Sequence, residues 1–265
     1  MLYIASLPLW QSALLMVGLP TVVAMLGPIL VRHRIALERL ATNNEVAGFK
    51  FAVVGVVYAV LIAFAVIVVW EKLSDAEHAV AQEAGASAAL YRLANGIGDE
   101  TGGAIRDKLT AYLRATVEED WPTMAQGGAG LSGTRALNDV YAAVLAVEPR
   151  NDRLKLVLPE IFHQLDVVTQ ARRTRLVLAS GAVPGILWLV LFVGAFLTIG
   201  YTFFFATENL RAQSLMSGML SVLISMVLLV IVVVDHPYAG YVRVTPESLR
   251  LVLEEFSALA SLPYQ

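Results

Sequence analysis

Two pairs of apolar stretches separated by a polar segment constrain this chain more than any other feature. The stretches run over 9–31, 49–70, 183–205 and 212–234. Each is long enough to cross a hydrocarbon layer of roughly 30 Å. Inside such a layer every backbone N–H and C=O must find its partner within the protein, and helices satisfy that requirement segment by segment. The expected fold is therefore an all-α membrane protein with four transmembrane helices. They form two hairpins, residues 1–70 and 182–235, flanking a helical extramembrane domain over 71–181, and a tail follows over 236–265.

Composition agrees: 57% of the residues are hydrophobic and only 15% charged, with a mean hydropathy of +0.67, beyond the usual range of soluble domains. A net charge of −3 offers no basic surface to a phosphate backbone, so nucleic acid is excluded as a partner. The absence of cysteine removes disulfides, thiolate metal sites and cysteine nucleophiles.

No Lys or Arg precedes the first stretch and no small-residue cleavage site follows it, so it reads as a retained helix. Pro20 and Pro28 predict local kinks. The connection through Arg32, Arg34 and Arg39 reads as a turn with one surface helix. The second span ends at Trp70 and continues without a breaker to Arg92, predicting one helix that projects beyond the membrane. The polar segment predicts about four helices, with stops at Asn95-Gly96, Trp121-Pro122, the glycine cluster 127–133 and Glu148-Pro149. Ile105, Leu109, Tyr112, Leu113 and Val117 recur at helical spacing, as a bundle requires. In the tail, Tyr241 to Val244 reads as a short extended piece. Thr245-Pro246-Glu247 opens a helix whose stripe of Leu249, Val252, Leu253, Phe256 and Leu259 should dock on protein or membrane.

Functional signals are sparse. The spans carry no Asp, Glu, Lys, Arg or His in their middles, which disfavours ion-coupled transport through a buried carboxylate. No phosphate loop, nucleophile elbow, zinc-protease or dinucleotide motif occurs, so the chain reads as a non-enzyme without cofactor. Gly55, Tyr58, Ile62, Val66 and Val69 share one stripe of the second span. In an oligomer they would line a pore with Ile62 and Val66 as an apolar neck; otherwise they pack against neighbouring helices. Ser217, Ser221 and Ser225, spaced by four, read as helix-packing residues. Arg172, Arg173 and Arg175 precede the third span, as an anion-concentrating vestibule or as an anchor on anionic lipid. Two sets, Glu71-Asp75-His78-Gln82 and Glu160-His163-Asp166, are read as solvated faces rather than metal sites. Glu118-Glu119-Asp120 reads as a solvated helix end.

Three motifs carry a resemblance. Asn43-Asn44-Glu45-Val46-Ala47-Gly48-Phe49, then Tyr112 with Glu119-Asp120-Trp121-Pro122-Thr123-Met124, then Asp235-His236-Pro237-Tyr238-Ala239-Gly240 resemble the bacterial bestrophin-like domain family. That family is distantly similar to bestrophins, pentameric anion channels with helix hairpins around a helical cytosolic part. The resemblance implies a homo-oligomer, a pentamer, in the bacterial cytoplasmic membrane, with lipid and inorganic anions as partners. It places the neck on the second helix at Tyr58, Ile62 and Val66. It also places the helical domain in the cytoplasm, whereas the uncharged N-terminal tail opposite Arg32 and Arg34 argues for the outside. No Arg-Trp bestrophin signature and no acidic calcium clasp occur, so calcium gating is not implied. The expected function is an anion (chloride) channel. The alternative is a non-conducting membrane scaffold or sensor whose helical domain binds a partner or ligand.

Overall fold

Long apolar runs without internal breakers can pair their own backbone only as helices, and a computed structural model of the chain shows them so. It describes residues 2–42, 44–97, 99–128, 130–149, 151–205 and 207–261. In chain order the helices are α1 (Leu2–Ser6), α2 (Leu9–Arg34), α3 (Leu37–Ala41), α4 (Asn44–Asn95), α5 (Asp99–Ala115), α6 (Trp121–Ala125), α7 (Ser132–Leu145), α8 (Asp152–Leu178), α9 (Gly185–Tyr201), α10 (Leu210–Val234) and α11 (Glu247–Ser261). No strand occurs among the described residues. Among the described residues four helices, α2, α4, α9 extended to Phe204, and α10, are long and apolar enough to cross a membrane.

The chain divides into two units. One comprises residues 1–71, 181–236 and 240–242; the other comprises 72–180, 237–239 and 243–265. In the first unit α10 packs along α2, and small residues set the distance. A Cβ placed on Gly218 would meet Met25 Cγ at 2.7 Å, and one on Gly27 would strike the Phe203 ring. Apolar helices gain little from burying carbon against carbon in lipid, so close approach and hydrogen bonds hold such pairs. Ser217 and Thr202 share a hydroxyl contact of 3.0 Å, and Gln213 donates to Phe205 O at 2.5 Å. Asn209 caps α10 by accepting from Ala212 N at 3.1 Å. Buried Asp235 ends the same helix and accepts from Val183 N at 2.8 Å, ahead of α9. Gly240 follows at φ +80°, with Ala5 O only 2.7 Å from where a Cβ would stand, so both its conformation and its space demand glycine. Pro20 lies just after a π-helical turn, Leu14–Gly18, which absorbs the irregularity it imposes; Pro28 is accommodated inside α2.

The second unit has a soluble-type core of Leu90, Ile105, Leu109, Leu113, Ile161, Leu165 and Leu249, all fully buried. The α11 tail docks on it: Tyr91 and Phe256 stack at 3.8 Å, and exposed Arg92 meets Glu255 at 2.5 Å. Asn151 caps α8 through Leu154 N. Two local expectations are corrected. Trp121-Pro122 does not stop the helix, because the chain passes from α5 through a π-helical turn, Thr116–Asp120, into α6. Pro122 then falls in a first turn, where no N–H is needed, and the stop comes at Gly127 with φ +78°. Tyr241 to Val244 forms no strand but a bend, closed by Val244 N donating to Pro237 O at 2.7 Å.

Within the first unit, α4 meets α9 through Tyr58. Its hydroxyl donates to Leu191 O at 2.9 Å, and its ring lies over Gly194, where a Cβ would come within 2.6 Å of Cδ2. Gly194→Val should therefore displace the ring and lower stability by about 1–3 kcal/mol. Gly200→Val, with nothing within 4 Å of its Cβ position, should leave the thermal midpoint in detergent nearly unchanged. Equal midpoints for the two variants would contradict the Tyr58 seat.

Candidate functional site

A helix that is apolar all round gives no hint of which side faces its own chain; packing decides. In the membrane-length part of α4, Tyr58, Ala65 and Val69 face inward, with Tyr58 only 4% and Val69 only 1% exposed. Gly55, Ile62 and Val66 lie half-buried on one flank. Opposite stand Val56, Val60, Ala63 and Ile67, spaced 4, 3 and 4, all exposed, Val56 at 65%. The five residues read as one stripe thus separate. Tyr58 and Val69 are committed to packing inside the protomer, because the phenol finds its acceptor on α9, and the unpartnered face lies on the other side. An apolar face of this length must be covered by lipid or by another copy.

Ser217, Ser221 and Ser225 are all buried on α10. Ser217 bonds Thr202, while the Ser221 hydroxyl has no partner. The residues of both carboxylate-imidazole sets are all exposed, and Glu160 accepts from the neighbouring half-buried Gln164 at 2.7 Å. No group of ligands able to hold a metal ion occurs among the described residues.

The vestibule arginines separate too. Arg173 is exposed, but Arg172 and Arg175 are buried. Arg175 Nε donates to Glu83 Oε2 at 2.7 Å and Nη2 to Oε1 at 3.1 Å, with both side chains fully buried. The Tyr112 hydroxyl donates to the same carboxylate. Arg172 Nη2 meets Asp120 Oδ2 at 3.2 Å and Thr134 Oγ1 at 3.0 Å. Asp120 also accepts from Gly133 N at 3.2 Å. Two of the three expected vestibule charges are therefore neutralised inside the protein, and Asp120 is a core acid rather than a solvated helix end. Burial pulls the Arg175 pKa down, but the Glu83 carboxylate beside it outweighs that and raises the pKa overall, so the guanidinium stays charged. Burial first, then the charge of Glu83, pushes the Tyr112 phenol well up, so it stays a donor. Gly130 and Gly133 are glycines because a Cβ on either would strike the Asp120 carboxylate. With each carboxylate held by an arginine, the network offers no free base or nucleophile.

The bestrophin-like domain profile matches residues 18–249. The chain belongs to the bestrophin-like family. Among solved structures, a bacterial bestrophin homolog from Klebsiella pneumoniae, carrying one substitution, superposes with a TM-score of 0.72 at 13% identity, over 93% of this chain and 99% of that one. Another structure, reported as a membrane protein, gives the same score and identity over 94% and 100%. A comparison with curated protein sequences finds no match. At this identity the likeness speaks for the fold: this bestrophin-like chain is a multi-pass helical membrane protein.

Glu83 escaped the sequence reading, although its signal was present. Ala76, Val80, Glu83, Ser87, Leu90 and Ala94 are spaced 4, 3, 4, 3 and 4, and all are buried. An acid on such a stripe needs a buried cation. In this bestrophin-like protein, Glu83→Gln should strand Arg175 and cost about 3–5 kcal/mol, whereas Glu83→Leu with Arg175→Met should recover most of it. Thermal unfolding followed by tryptophan fluorescence checks this; a single variant as stable as the parent would refute the pair's role.

Proposed function

We propose that the chain assembles as a homo-oligomer, a pentamer by family resemblance, and forms an anion channel in the bacterial cytoplasmic membrane. The proposed neck is the α4 face of Val56, Val60, Ala63 and Ile67, with Ile62 and Val66 on its flank against the neighbouring copy. The observation that carries the reading is that this apolar face has no partner among the described residues of the protomer. Membership of the bestrophin-like family supports it. A ring of such side chains would gate by dewetting, since water leaves a narrow apolar constriction unless it widens. Inorganic anions, chloride first, are the proposed permeants. The helical unit is proposed to lie in the cytoplasm, as the family resemblance implies, and exposed Arg173 is the member of the arginine trio proposed to act on an approaching anion.

The test is chloride efflux from liposomes holding the purified oligomer, beside a cation control. Val60→Ala and Ile67→Ala should each raise chloride efflux several-fold, and Ile62→Ala less. Leu189→Ala, on the exposed side of α9, should leave it unchanged. Silence from a folded oligomer in the parent and both neck variants would move the function to a scaffold or sensor whose helical unit binds a partner or ligand.

A further inference from the structure

The helical unit contains a cavity of about 270 Å³ between α6 with its preceding π-helical turn and the segment that opens α11. Its floor is carbon. Trp121, Tyr238 and Pro246 are buried there, exposed Pro122 lines the cavity beside them, and the Tyr238 hydroxyl is already spent on Ala76 O at 3.2 Å. Trp121 is held rigidly, with the Arg175 guanidinium 5.3 Å from its ring centre and the Tyr238 ring edge-on at 5.5 Å. The rim is cationic. Arg243, Arg250 and Thr245 line it and are exposed, and among the described residues no carboxylate lines the cavity.

These rim groups are uncommitted. Arg250 has only a 4.0 Å approach to exposed Glu247, an ion pair of negligible strength in water. Arg243, the Thr245 hydroxyl and the Trp121 indole N–H have no partner among the described residues. Two guanidinium groups, one indole N–H and one hydroxyl over an apolar floor make a cavity rich in donors and poor in acceptors. The opening of α11 adds the positive end of a helix dipole. Such a surface selects a negative head on a flat apolar body. The volume lies just under the roughly 300–1,000 Å³ range of drug-sized sites, which fits one ring rather than a nucleotide.

We propose that this pocket binds a small organic anion, a carboxylate or phosphate carried on an apolar body of about one ring. The head lies between Arg243 and Arg250, and the body rests on Trp121, Pro122 and Pro246. The same chemistry is available from a soluble metabolite or from the phosphate head of an anionic lipid. The site does not depend on conduction.

The test uses the full chain in phosphatidylcholine nanodiscs, titrated calorimetrically with phenyl phosphate. Saturable binding of one phenyl phosphate per chain is expected. Arg243→Gln with Arg250→Gln should weaken it at least tenfold, while Arg92→Gln, which removes an exposed charge paired to Glu255, should not. Benzyl alcohol, of similar shape without charge, should not bind. In nanodiscs containing phosphatidic acid, weaker apparent binding assigns the site to the lipid phosphate, and unchanged binding assigns it to a soluble ligand; either supports the pocket. No saturable binding by the parent chain, or equal binding by the double variant, overturns the proposal.

Discussion

The structure depends on the way α4 spends its surface. One face, centred on Tyr58, Ala65 and Val69, is consumed inside the protomer, and the opposite face is left apolar and unpartnered. In water such a face would be driven inward by the hydrophobic effect. In a bilayer that drive vanishes, because lipid tails are as apolar as valine, and contacts are decided by fit and by polar handles. The first unit follows that rule. Tyr58 reaches a carbonyl on α9 above a glycine, Gly218 admits Met25, and Ser217 meets Thr202. What remains uncovered on α4 is the face proposed to line the pore.

The second unit is held by different physics. Its leucine and isoleucine core is that of a soluble bundle, but two buried ion pairs lie within it. Ion pairs of this kind are seldom a gain over packed carbon, since each charge gives up its water. They do impose a strict partner choice: Glu83 without Arg175, or Asp120 without Arg172, leaves an orphaned charge. Asp120 further explains the π-helical turn and the glycine cluster together. The turn delivers its carboxylate to the interior, and Gly130 and Gly133 leave the room it occupies.

Much of the fold was legible in the sequence, because span length and hydropathy follow directly from the thickness of the hydrocarbon layer. The tail stripe was legible too, through Leu249, Val252 and Phe256, whose spacing marks one buried face. The orientation of α4 was not. Its residues are apolar on every side, so periodicity identifies stripes but cannot rank them, and the one polar cue, Tyr58, pointed to a backbone carbonyl rather than to water. Arg172 and Arg175 were visible as charges, but their partners lie far away in the chain, at Asp120 and Glu83. Pro122 misled because a π-helical turn has no simple sequence signature and moves a proline into a tolerated first turn.

The absence of cysteine allows the central claim to be tested residue by residue. Single cysteines introduced along α4 from Val53 to Trp70 would be exposed to an anionic thiol reagent while chloride efflux is followed in liposomes. The reagent should alter efflux at Val56, Val60, Ala63 and Ile67 and leave Leu61 and Val68 silent. An effect confined to Tyr58 and Val69, or none at any position in an active oligomer, would contradict it.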